Sequence, residues 1–65
     1  MIFQVVVEYA ESGSTLQVIQ LYDENGTDYG FLIPYDARFL SMTDLRADIA
    51  YKLQLQPEEI ELEEV

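Results

Sequence analysis

The sequence predicts one small α+β domain: a three-stranded antiparallel meander, one helix packed on one face, and a fourth strand at the C-terminus. Three observations carry this. Apolar and polar residues alternate with period two over residues 2–9 and 15–22, with turn-forming residues after each run. Apolar residues recur at helical spacing at Met42, Leu45, Ile49 and Leu53. Beyond Pro57, Ile60 and Leu62 alternate with Glu59, Glu61 and Glu63.

In the first strand, Phe3, Val5, Val7 and Tyr9 fall on one side and Ile2, Gln4, Val6 and Glu8 on the other. The unbroken Val5-Val6-Val7 suits an interior strand, because an edge strand rarely buries both faces. Glu11-Ser12-Gly13-Ser14 then supplies turn chemistry, with Gly13 free to take a positive φ. The second strand sets Leu16, Val18, Gln20 and Tyr22 against Thr15, Gln17, Ile19 and Leu21. It ends at Asp23-Glu24-Asn25-Gly26, where Asn-Gly signals a two-residue type I′ loop. A third strand over residues 27–33, stopped by Pro34, is expected to fold back on the second.

Ser41 or Thr43 can cap a helix whose first turn carries Asp44, and Asp48 and Lys52 form a favourable i,i+4 pair. Pro57 marks the end of that helix a few residues earlier. The tail has two readings: Pro57 followed by acids is a helical N-terminus signature, whereas the alternation through Leu62 is a half-buried strand. The strand is favoured, since it covers one side of the first strand.

At 65 residues the chain has room for one domain, near the lower size limit for a core that sustains a fold alone. Such a domain buries roughly 60% of the surface its unfolded chain exposes, so pairing with a second copy is an expected source of stability. Apolar residues make up 49% of the chain, too many for a disordered acidic tail. Cysteine and histidine are both absent, which removes disulfides, thiolate metal sites and the commonest general base. Met1-Ile2-Phe3-Gln4-Val5 runs straight into a strand without a basic region, and no run approaches the ~18 apolar residues of a membrane span. A cytoplasmic protein is expected.

Thirteen acids against three bases give a net charge of -10, which repels nucleic acid and anionic membrane alike. The bases Arg38, Arg46 and Lys52 all lie between an acidic N-terminal half and an acidic tail. Paired acids of the glycosidase kind remain, but so small a core is not expected to build a cleft of ~300 Å³ or more, so an enzyme is not expected. Asp23-Glu24-Asn25-Gly26-Thr27-Asp28 fails as a calcium loop, with glycine at the fourth place and Pro34 at the twelfth. Neither cofactor nor metal is expected. Two candidate surfaces remain for binding a protein with a basic surface: the acids Glu11, Asp23, Glu24, Asp28 and Asp36, and the aromatic pair Tyr35 and Phe39 between strand and helix.

From Leu16 onward, the acid-glycine turn 23–26, Tyr29 three residues on, and Leu40-Ser41-Met42-Thr43-Asp44-Leu45 resemble the small dimeric phage inhibitors of uracil-DNA glycosylase, which mimic DNA. That resemblance implies an acidic inhibitor occupying the nucleic-acid site of a DNA-processing protein. In that family an aromatic residue and then an acid follow the Leu-Ser stretch, places held here by Leu45 and Arg46. A second resemblance rests on the helix Leu45-Arg46-x-x-Ile49-x-x-x-Leu53 followed by Ile60-x-Leu62, which is similar to ubiquitin-like β-grasp adaptors. It implies a docking module using a sheet edge or helix face, without the C-terminal diglycine of conjugation or sulfur carriage.

Overall fold

Strands β1 (Ile2–Tyr9) and β2 (Leu16–Asp23) form an antiparallel hairpin in the computed structural model, which describes residues 1–65. Gly13 turns it at φ 74°, a conformation that costs glycine nothing. β1 is the interior strand, as its valine run predicts, because a short strand β3 (Glu61–Glu64) pairs along its other side. That second pairing is parallel, with Ile2 opposite Glu61 and Phe3 opposite Leu62. The sheet, ordered β2-β1-β3, is therefore mixed and not an antiparallel meander.

The expected strand over residues 27–33 does not form. Hairpin closure of type I′ needs positive φ at both central residues, and only Gly26 has it here, at 82°. Asp23 diverts the chain instead: its Oδ1 accepts the N–H groups of Asn25 and Thr27 at 2.9 and 2.8 Å. One bridge survives between Tyr22 and Asp28, after which Asp28 Oδ1 accepts the Gly30 N–H at 2.7 Å and the chain enters a 3-10 turn, Gly30–Leu32. The connector 24–41 then crosses back to the start of β2, where Phe39 bridges Leu16.

β2 also departs from simple alternation. Gln20 faces Val6 while Val18 faces Val7, so Ile19 is an extra residue. This bulge puts Leu16 and Leu21, of opposite parity, on the same buried face.

Helix α1 (Met42–Leu53) is capped by Ser41, whose Oγ accepts the Asp44 N–H at 3.1 Å. It ends at Gln54, a left-handed residue with φ 59°. Leu45, Ile49 and Ala50 of its inner face are fully buried against Phe3, Val5 and Leu21, with Met42 and Leu53 at the margin. The Asp48–Lys52 pair forms at 2.9 Å, and Lys52 Nζ also donates to the Leu32 carbonyl at 2.7 Å, tying the connector to the helix. Both readings of the tail are realised in succession: Pro57–Glu59 form a 3-10 turn and Glu61–Glu64 the strand. No helix is long and apolar enough to cross a membrane.

Candidate functional site

The acids singled out by sequence do not converge. Glu11 lies exposed at the β1–β2 turn, whereas Asp23, Glu24 and Asp28 lie at the far end of β2, on the order of 23 Å away at ~3.3 Å per residue. Asp23 and Asp28 each spend a carboxylate oxygen on the turn N–H groups that shape the connector. Asp36 is exposed on that connector.

The aromatic pair is likewise split. Tyr35 is 84% exposed, held by its carbonyl, which accepts from Gln17 Nε2. Phe39 is half-buried and packs against the core, and its backbone exchanges two bonds with Leu16. An aromatic that sequence placed on a strand is instead displayed. Phe31 is 78% exposed and stacks on Tyr29 at 5.7 Å, while Tyr29 meets buried Phe3 edge-on at 5.3 Å.

A surface that sequence reading left out of the candidate site lies along β3. Glu61 N–H donates to the Met1 carbonyl at 2.8 Å and Val65 N–H to the Val5 carbonyl at 2.9 Å, so alternate residues of β3 face β1. The backbone groups of Leu62 and Glu64 accordingly point away from the sheet, where no strand lies beyond β3. β2 differs: its outer side is bonded to the connector at both ends, through Tyr29 N–H to the Leu21 carbonyl and through the Leu16–Phe39 exchange.

Beside this open edge, Met42, Thr43 and Arg46 of α1 and Leu62 of β3 enclose a groove of about 150 Å³. Arg46 also borders a larger hollow of about 420 Å³ formed with Met1, Ile2 and the 58–62 segment. That exceeds the ~300 Å³ cleft that so small a core is not expected to build. The Nε of Arg46 is buried there without a hydrogen-bond partner.

At the far end of the edge, Tyr9 Oη donates to Glu64 Oε1 at 2.9 Å. This bond to the carboxylate raises the Tyr9 phenol above its ordinary value of 10.0, helped by desolvation and by the negative charge of Glu64. Two acids of the edge, Glu61 and Glu63, share the uncovered face with Ile2 and Gln4, while Leu62 and Glu64 fall on the helix side with Phe3 and Val5. The signal for this site was the Glu59-to-Glu63 alternation, which marks the strand but not which of its sides stays unpaired. Against family descriptions, curated proteins and solved structures, the chain finds no match.

Proposed function

We propose that this protein is a non-enzymatic docking module that receives an extended segment of a partner protein along the outer edge of β3. The observation that carries the reading is the outward row of backbone groups at Leu62 and Glu64, on a sheet whose other edge is bonded to the connector at both ends. Such a row is a template for main-chain hydrogen bonds, and the groove behind it supplies side-chain selectivity. The order of hairpin, helix and a last strand parallel to the first supports the ubiquitin-like β-grasp adaptor reading.

The DNA-mimic reading is supported by the charge of -10 but less by placement. Two of its proposed phosphate surrogates, Asp23 and Asp28, are engaged with backbone N–H groups, and Glu11 lies at the opposite end of the sheet.

Glu64→Pro tests the proposal. Its N–H faces outward, so proline removes an edge donor without breaking a backbone bond to β1, and Glu64→Gln controls for the lost carboxylate contact with Tyr9. The variant is expected to keep its circular dichroism and to lose the host partner that the parent chain retains on a column. Retention of the same partner at parental strength would defeat strand addition at β3.

A further inference from the structure

We infer that the segment received by β3 is basic and amphipathic, with cationic residues alternating with apolar ones, an assignment that rests on the strand-addition reading above. Side chains at paired positions of neighbouring strands share a face of the sheet. A residue added opposite Glu61 or Glu63 therefore stands on the uncovered face beside a carboxylate, with exposed Glu58 and Glu59 deepening the negative potential at the start of the strand. Cations complement that face.

A residue added opposite Leu62 stands on the other face, over the groove of Met42, Thr43 and Arg46. There Met42 and Leu62 supply the apolar part of the wall, beside the Thr43 hydroxyl and the Arg46 guanidinium, which repels a second cation. An aliphatic side chain fits, and its burial shields Leu62 and Met42, both half-exposed in the free protein. Over Glu61–Glu63 the two faces together call for period-two alternation of cationic and apolar residues.

The same charges reject a second copy of this chain at the edge. Two β3 strands side by side would bring Glu61, Glu63 and Glu64 of each against those of the other, and like charges across a strand pair are destabilising. The edge is closed to itself and open to a basic partner.

The test is an NMR titration of the intact ¹⁵N-labelled protein with a blocked peptide of alternating lysine and valine. Expected are slowed exchange of the Leu62 and Glu64 amides and shifts at Met42 and Arg46. Glu61→Gln with Glu63→Gln is expected to weaken binding by about two- to fivefold for each carboxylate removed. Glu64→Pro is expected to abolish it.

Two further peptides separate the ways of failing. If alternating threonine and valine protects the same amides equally well and the Gln variants bind like the parent, strand addition stands and the basic assignment falls. If lysines and valines in separate blocks bind as tightly without protecting Leu62 and Glu64, the attraction is diffuse charge alone and the assignment also falls. Should none of the peptides protect these amides, strand addition itself falls with it.

Discussion

Leu16 and Phe39 exchange both of their backbone hydrogen bonds, at 2.8 and 2.9 Å, so the long connector is closed against the first residue of β2. This fixes Phe39 at the margin of the core while Tyr35, four positions earlier, stays in solvent. Phe39→Ala is expected to cost about 1 to 2 kcal/mol, in keeping with a half-buried ring. Tyr35→Ser should stay within about 0.5 kcal/mol of the parent. Urea denaturation of both variants checks the contrast, and a Tyr35→Ser loss as large as about 1 to 2 kcal/mol would place that ring in the core too.

Ile49 is fully buried between the helix and the sheet. Ile49→Ala is expected to destabilise by about 2 to 5 kcal/mol through lost burial and an unfilled cavity. A domain of this size holds only about 3 to 5 kcal/mol in its core, so the variant should be largely unfolded at room temperature. Far-ultraviolet circular dichroism reads this directly.

The two ends of α1 are expected to respond in opposite directions. Ser41→Ala removes the acceptor of the Asp44 N–H and should cost about 1 kcal/mol. Gln54 occupies the left-handed region with a β-carbon, so Gln54→Gly should stabilise by roughly 0.5 to 1 kcal/mol. Thermal melts of the pair would overturn the capping assignment if the signs were the same.

Tyr9 predicts a pH dependence. Its phenol is raised in the folded state, so the neutral form is the one that folding favours. The contribution is fully present below pH 10 and is lost as the pH rises through the higher folded value. Phenolate absorbance should show Tyr9 titrating above its ordinary value, and Glu64→Gln should return it toward that value. An unchanged titration curve would rule out the Tyr9–Glu64 bond in solution.

Much of this architecture was legible because local chemistry and burial agreed. Val5-Val6-Val7 marked the interior strand, Ser41 and Pro57 bounded the helix and its sequel, and Leu45 and Ile49 marked the buried stripe. What misled was the Asn25-Gly26 pair. Its hairpin signal was overridden by the Asp23 carboxylate one turn earlier, a side-chain interaction that alternation does not register. The bulge at Ile19 was hidden for a related reason: both parities of 15–22 contain apolar residues, so the pattern alone could not show which of them shared a face. The open edge of β3 is a property of strand order, set by contacts between the first and last residues of the chain.

Those contacts have a mechanical consequence. β1 and β3 run side by side in the same direction, with Met1 at the start of one and Val65 at the end of the other. A pull applied at these two residues acts along the strands in opposite senses, and the β1–β3 bonds are loaded together in shear instead of opening one after another. The hairpin, joined at its turn, bears little of that load. A pull along the line from Met1 to Val65 thus meets every β1–β3 bond at once.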